Sequence, residues 1–118
     1  MILLRMFFMK NILYVPEKIT LIIRIKVKKK ETQNVLLKLY NTIALTHKEE
    51  GCEEYKILHE KESIVISGRW KSQMALDMHL LFQYHLKLFE EVLPPLCKKI
   101  SIKTFYEIEP PITALSLS

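Results

Sequence analysis

One short stretch, residues 70–79, contains two side chains whose types and spacing suit a binding pocket. Trp70 is the only tryptophan of the chain, and His79 follows it nine residues later, across a turn and the beginning of a helix. An imidazole titrates near neutral pH and can act as an acid or a base, whereas an indole offers a broad apolar surface. We therefore expect Trp70 and His79 to flank any small-molecule pocket.

The other histidines and the cysteines form no recognisable metal motif. Cys52 and Cys97 are isolated in the chain, and the spacing of His47 and His59 relative to Cys52 matches no set of metal ligands. His47 falls at the predicted end of a helix, where the helix dipole favours a partly exposed imidazole. We predict no metal site, and the cysteine pattern favours a reducing, cytoplasmic location over a disulfide scaffold.

The composition limits the classes of protein that fit. A chain of 118 residues with 49% hydrophobic and 26% charged residues is typical of one globular domain. Its two glycines are too few for glycine-rich phosphate or dinucleotide loops. The net charge of +5 comes largely from lysines near predicted turns and strand ends, which we interpret as solvated surface charge.

The chain divides into three predicted parts. Residues 1–18 form an N-terminal extension whose apolar run is broken by Arg5 and closed by Lys10, which makes it too short to span a bilayer. The extension also lacks the basic start and the cleavage site of a secretory signal. Residues 19–109 form the folded domain, and residues 110–118 form a C-terminal tail.

Alternation of apolar and polar residues predicts four strands, at residues 19–27, 52–59, 64–70 and 100–108. The link between the second and third strands is short, which indicates an antiparallel hairpin. Helical spacing after the first strand predicts an amphipathic helix that ends near Gly51, since glycine is a natural helix stop. The apolar positions of this helix are Val35, Leu36, Leu39, Tyr40 and Ile43, with His47 one turn further.

Ser72 is the predicted N-cap of the next helix. The apolar surface of that helix is predicted to come from Met74, Leu76, Met78, Leu81 and Phe82. A further helical stretch follows and ends at Pro94 and Pro95, and we interpret His85 within it as structural or exposed.

The resulting order, β-α-β-β-α-β, predicts an α+β sandwich with a ferredoxin-like fold, in which two helices cover one face of a four-stranded antiparallel sheet. The opposite face also carries apolar residues, namely Ile22, Leu58, Val65 and Phe105. We therefore predict a homodimer in which a second protomer covers that face of the sheet.

Several segments, taken in order, resemble a known family. They are EEGCEEYKI after the first helix, the strand that ends in Trp70, the sequence ALDMH, and an aromatic-rich helix that closes in LPPL. Together they are similar to the antibiotic biosynthesis monooxygenase (ABM) domain family of dimeric α-β barrels, over about residues 19–109. The residues that carry the resemblance most strongly form two sets, namely Gly51, Cys52 and Tyr55, and Trp70, Ala75, Leu76 and His79.

The resemblance implies a dimer with two sheets packed face to face and a pocket in each protomer between the sheet and the helices. It also implies a monooxygenase that oxidises a small aromatic, quinol-type substrate with O2 and uses no cofactor. Such chemistry requires a base and an apolar cavity. His79 is then the catalytic base, and Trp70, Tyr55, Phe82 and His59 bind the substrate, with His59 as a second acid or base.

Three departures from the patterns of particular branches of the family narrow this interpretation. Haem-degrading members carry an asparagine where this chain has Ile23 and a tryptophan where it has His79. A polyketide-oxidising branch carries an asparagine at the position of Ile66. Haem degradation is therefore disfavoured, and the quinol-type reaction remains.

Other functions remain open on sequence grounds. A non-catalytic ligand-binding or sensing domain of the same fold is one alternative, and a small-molecule isomerase is another. RNA-binding domains share the same element order, but the third strand, SIVISGRW, lacks their aromatic signature. We therefore expect a small aromatic molecule as the ligand and predict no nucleic-acid or membrane partner.

Overall fold

A computed structural model describes residues 18–108 of the chain. The predicted N-terminal extension, apart from residue 18, and the predicted tail lie outside the described residues. The elements are β1 (Ile19–Val27), α1 (Thr32–His47), β2 (Cys52–Glu60), β3 (Ser63–Trp70), α2 (Gln73–Leu81) and α3 (Gln83–Leu86). They are followed by a π-helical segment (Lys87–Val92), a 3-10 turn (Pro94–Leu96) and β4 (Cys97–Tyr106).

The four strands form one antiparallel sheet in the order β2-β3-β1-β4, which confirms the predicted α+β ferredoxin-like fold. The central strand β1 supplies most of the core. Its alternate residues, Ile19, Leu21, Ile23, Ile25 and Val27, are all buried. Because β1 is paired on both sides and covered by helices on this face, each of these side chains contributes roughly 1.5–3 kcal/mol of burial free energy.

Helix α1 packs on the sheet with a face that differs from the predicted one. Val35 and Leu39 are buried as expected, but the next buried positions are Thr42 and Thr46, while Tyr40 and His47 are exposed. The two threonines are tolerated because their hydroxyls donate to the carbonyl oxygens of residues 39 and 42, at 2.8 and 3.0 Å. The buried face of α1 therefore runs through Thr42 and Thr46 rather than through Tyr40 and His47.

The helix also ends earlier than predicted, at His47. The backbone N–H groups of Lys48 and Glu49 donate to carbonyls three residues back, which tightens the last turn. Gly51, with φ +91, then turns the chain into β2, as a glycine at this position predicts.

Helix α2 begins as predicted, since the side chain of Ser72 accepts a hydrogen bond from the N–H of Ala75 at 3.1 Å. Only part of the apolar surface predicted for this helix is buried. Leu76 and His79 are buried, whereas Met74, Met78 and Leu81 are exposed. The helix is interrupted at Phe82, whose backbone is extended at ψ 139, and α3 starts in a new direction.

Candidate active site

Trp70 stands at the end of β3 with its ring fully buried against the sheet. The ring folds back over Gly68, where any larger residue would clash, because a Cβ at that position would lie 2.5 Å from Trp70 Cζ3. Tyr55 lies opposite Gly68 on β2, and its ring meets the indole edge-on at a centroid distance of 6.0 Å. Gly68 therefore makes room for this aromatic pair.

His79 lies on the buried face of α2, two turns after the Ser72 cap, and is 1% exposed. Its ring lies 4.6 Å from the Trp70 ring and 5.8 Å from the Tyr55 ring, measured between centroids. Trp70 and His79 are thus in contact, with no space for a ligand between their rings. The aromatic pair instead fixes the position of the imidazole.

Glu49, just beyond the end of α1, faces His79. His79 Nδ1 lies 2.9 and 2.8 Å from the two carboxylate oxygens of Glu49. The Tyr84 hydroxyl of α3 donates to Glu49 Oε2, and the Thr46 hydroxyl lies 3.0 Å from that of Tyr84. Side chains from α1, α2 and α3 therefore meet at one carboxylate, and we call Thr46, Glu49, His79 and Tyr84 the buried polar cluster.

Burial shifts the titration of this pair in opposite directions. It raises the pKa of Glu49 to about 7, although the neighbouring Trp70 N–H partly offsets the rise. It lowers the pKa of His79 to about 4. His79 is therefore neutral at neutral pH, and its contact with Glu49 is a hydrogen bond from Nδ1–H to the carboxyl group rather than an ion pair.

One buried nitrogen of this region, His79 Nε2, lacks a hydrogen-bond partner among residues 18–108. The N–H of Trp70 interacts with the nearby Glu49 carboxyl but does not meet the geometry of a hydrogen bond. With the proton on Nδ1, Nε2 is left as a buried acceptor. Such an orphaned polar atom costs free energy in a purely structural core, so its presence favours a functional site.

A second histidine completes the ring stack. His85 of α3 is buried, and its ring lies 4.7 Å from that of His79 on one side and 4.7 Å from that of Phe89 on the other. Burial lowers the pKa of His85 to about 4, and the nearby His79 contributes to the same decrease. His85 is therefore also neutral at physiological pH.

A cleft of about 310 Å³ opens beside the buried polar cluster. We call it the Glu49 cleft, and its walls include Glu49, Lys71, Met74, Met78 and Phe82. Phe82 is 39% exposed, and the two methionines are exposed on the same side of α2. The cleft is thus a largely apolar space that meets the buried polar cluster at Glu49.

The structure brings together three of the five residues that the sequence singled out. Tyr55, Trp70 and His79 form one aromatic group, and Phe82 lies on the wall of the adjacent Glu49 cleft. His59 is separate from this group, because it is exposed near the far end of β2 and does not line the Glu49 cleft. It lines a second cavity of about 420 Å³, which Tyr40 and Tyr55 also line. The functional roles assigned to these residues remain predictions.

Sequence reasoning missed Glu49, Tyr84 and the burial of His85. Glu49 was interpreted as part of a charged helix end, and Tyr84 as one of several aromatics. In one continuous helix, Tyr84 and His85 would be rotated by roughly 140° and 240° from His79. The interruption at Phe82 returns them to His79, and no local signal in the sequence predicts that return.

Within the described part of the chain, no three or more His, Cys, Asp or Glu side chains are grouped as metal ligands. Over the same residues, no helix is both long enough and apolar enough to cross a bilayer.

Solved structures share this fold at low sequence identity. A protein from Shewanella oneidensis matches with a TM-score of 0.78 at 18% identity, over 82% of this chain and 97% of that one. A protein from Mycobacterium tuberculosis matches with a TM-score of 0.73 at 20% identity, over 79% and 97%. A structure named as an antibiotic biosynthesis monooxygenase matches with a TM-score of 0.69 at 16% identity, over 77% and 99%.

No curated protein matches the chain closely in sequence. The family model described as antibiotic biosynthesis monooxygenase does match it, over residues 18–91. These residues run from β1 through α3 and so include Glu49, Tyr55, Trp70, His79 and Tyr84. The chain therefore belongs to the antibiotic biosynthesis monooxygenase family.

Proposed function

We propose that this protein is a cofactor-independent monooxygenase that oxidises a small quinol-type aromatic with O2. The observation that carries the proposal is the buried Glu49–His79 pair, which meets an apolar cleft at Glu49. Perturbed titratable groups beside a cavity are typical of active sites. Family membership supports the same class of reaction.

The reaction needs no external reductant, because a hydroquinone supplies the electrons itself. Loss of a phenolic proton gives a phenolate, which transfers one electron to O2. The resulting radicals combine at a ring carbon, where a C–O bond forms. The O–O bond then breaks, so that one oxygen atom stays on the ring as a hydroxyquinone and the other leaves as water together with two hydrogens of the substrate.

The side chains have distinct proposed roles. The Glu49–His79 pair supplies the base, and Trp70 and Tyr55 hold the imidazole in place. Phe82 forms part of the apolar wall against which the substrate ring packs, and this wall limits the access of water to the radical pair. His59 is outside the proposed site, because its side chain is exposed and does not line the Glu49 cleft.

We also propose that the protein is a homodimer that buries the face of the sheet opposite the helices. Leu58 and Phe105 lie on that face and are 46% and 51% exposed. Ile22 and Val65 lie between them on the central strands. Val65 is already buried and Ile22 is half-buried, so a second protomer would mainly remove Leu58 and Phe105 from water, which favours association.

Oxygen uptake with a panel of hydroquinones tests the proposed activity. We expect wild-type protein to consume O2 and to release hydroxyquinones that carry one added oxygen atom by mass spectrometry. His79→Ala should lose most of the rate, whereas His59→Ala should keep it. Absence of uptake with every hydroquinone would overturn the proposal, and ligand-induced thermal stabilisation without chemical change would then favour a binding domain.

A further inference from the structure

Glu49 is the point at which the buried polar cluster meets the Glu49 cleft. Its side chain is 7% exposed, and the residue lines the cleft wall. His79 lies behind it, 1% exposed and enclosed between the rings of Trp70 and His85 at 4.6 and 4.7 Å. A ligand in the cleft therefore reaches Glu49 before it reaches the imidazole.

We propose that Glu49 is the catalytic residue that accepts the proton from a phenolic hydroxyl of the substrate, and that His79 and Tyr84 are positioning residues. The inference rests on the proposed function, because it assigns the base of the same site. In this step the phenolic O–H bond breaks and an O–H bond forms on the Glu49 carboxylate. The proton later leaves in the water that is released when the O–O bond breaks.

The hydrogen bonds around Glu49 suit this role. His79 Nδ1–H and the Tyr84 hydroxyl both donate to the carboxylate, so they hold its orientation. The Thr46 hydroxyl lies 3.0 Å from that of Tyr84 and limits the positions open to the phenol. Three helices thus fix a carboxylate that would otherwise rotate freely beyond the end of α1.

The titration of the two partners supports the same assignment. Burial raises the pKa of Glu49 to about 7, which makes it a stronger base than an ordinary carboxylate. Burial lowers the pKa of His79 to about 4, so its imidazole does not retain a proton at neutral pH. Of the two, Glu49 is the group that can hold a proton under the conditions of the reaction.

Groups from every neighbouring element face Glu49. They are Cys52 and Tyr55 of β2, Trp70 of β3, His79 of α2 and Tyr84 of α3. Burial and the Glu49 charge raise the pKa values of the Cys52 thiol and the Tyr55 hydroxyl, so both remain protonated at neutral pH. At the solvent edge, Glu50 lies 3.6 Å from Lys71 in an exposed ion pair that water screens.

The cleft also indicates the class of substrate. Met74, Met78 and Phe82 offer an apolar and aromatic wall, while Glu49 offers a hydrogen-bond acceptor. A volume of about 310 Å³ is small for a ligand pocket, so it suits a phenol of one or two rings. The hydroxyl would bind Glu49 and the ring would pack on Phe82.

Binding of phenol itself, which lacks the second hydroxyl of a hydroquinone, tests the contact without turnover. By titration calorimetry, phenol should bind wild-type protein about tenfold more tightly well above pH 7 than well below it, because an ionised carboxylate accepts a stronger hydrogen bond than the protonated acid does. Glu49→Gln should weaken binding and remove this pH dependence. Glu60→Gln, which removes an exposed carboxylate at the end of β2 that does not line the cleft, should leave both unchanged.

Three outcomes of this titration would overturn the assignment. They are no binding of phenol by wild-type protein at any pH, unchanged binding by Glu49→Gln, and loss of the pH dependence in Glu60→Gln. If Glu49→Gln does not fold, the oxygen-uptake rates of two His79 variants test the assignment instead.

The side chain of His79→Asn provides an N–H in place of the imidazole Nδ1–H, but it cannot accept a proton. Oxygen uptake by His79→Asn and His79→Ala therefore separates a positioning role from a base. We expect His79→Asn to keep much of the rate and the wild-type pH profile, and His79→Ala to lose them. A folded His79→Asn as inactive as His79→Ala would overturn the assignment in favour of His79 as the base. Phenol binding that depends on Glu49 without any oxygen uptake would instead remove only the monooxygenase proposal.

Discussion

The imidazole of His79 lies against the indole of Trp70, with ring centroids 4.6 Å apart and the planes tilted by 40°. His79 is held on its other side by Glu49, which receives the Nδ1 proton in a hydrogen bond. One aromatic contact and one carboxylate thus fix both the position and the tautomer of the histidine. Because Trp70 is the only tryptophan, the tryptophan fluorescence of the protein comes from this site.

The fluorescence of Trp70 should decrease as His79 becomes protonated, because a protonated imidazole in contact with an indole quenches its emission. Burial lowers the pKa of His79 to about 4, so the decrease should occur near pH 4 rather than near the ordinary value of 6.5. Circular dichroism on the same samples would separate it from acid unfolding. A transition near pH 6.5, or one that persists in His79→Asn, would contradict the assignment.

Glu49→Gln should change how stability depends on pH. The folded-state pKa of Glu49, about 7, lies above the ordinary value of 4.5, so the folded protein binds this proton more tightly than the unfolded chain. The contribution of Glu49 is therefore fully present below pH 4.5 and is lost as pH rises to about 7. Since one pKa unit corresponds to about 1.4 kcal/mol, the loss approaches roughly 3 kcal/mol.

Urea denaturation over this pH range would measure the effect. Glu49→Gln should become more stable relative to wild type between pH 4.5 and 7, and Glu50→Gln should follow the wild-type curve. A constant difference between Glu49→Gln and wild type across the range would show that the carboxyl group has an ordinary pKa.

Gly68→Ala should disturb the site from the sheet side. A Cβ at position 68 would lie 2.5 Å from Trp70 Cζ3 and 3.0 Å from Tyr55 Cδ1, so the indole must move. We expect a loss of stability of about 1–3 kcal/mol, as is typical of overpacking, together with a shift of the tryptophan emission. Ser67→Ala, on the opposite face of β3, is the control. Unchanged emission in Gly68→Ala would mean that the ring has more space than the structure gives it.

Two substitutions in α2 distinguish its buried face from its exposed one. Leu76→Ala, at a position that is fully buried, should cost about 2–5 kcal/mol of stability. Met74→Ala, at a position that is 74% exposed, should change stability by no more than about 0.5 kcal/mol. Chemical denaturation of both variants checks this, and equal costs would mean that the methionine is covered in solution.

Phe105→Glu tests the proposed dimer. Phe105 is 51% exposed on the face of the sheet opposite the helices, so a carboxylate there would be buried without a partner on dimerisation. Light scattering after size exclusion should give a dimer for wild type and a monomer for the variant. A wild-type monomer at micromolar concentration would remove the proposal.

Much of the fold followed from local patterns. The alternation of residues 19–27 predicted the strand that became the centre of the sheet, and Ser72 and Gly51 marked a helix start and a turn that the structure confirms. These features are local, because strand alternation, helix capping and the sign of φ at a glycine each depend on a few neighbouring residues. Periodicity predicted that Met74 and Met78 belong to the apolar surface of α2, but it does not indicate what covers that surface, and both side chains are exposed.

The sequence by itself determined the β-α-β-β-α-β order, the family resemblance and the selection of Tyr55, Trp70 and His79. Only the tertiary structure decided that Trp70 and His79 are in contact, that His59 lies in another cavity, and that Glu49 and Tyr84 complete the cluster. Glu49 lies 30 residues before His79, and the helix break at Phe82 redirects Tyr84. The contacts among these three side chains therefore depend on how three helices pack on one sheet.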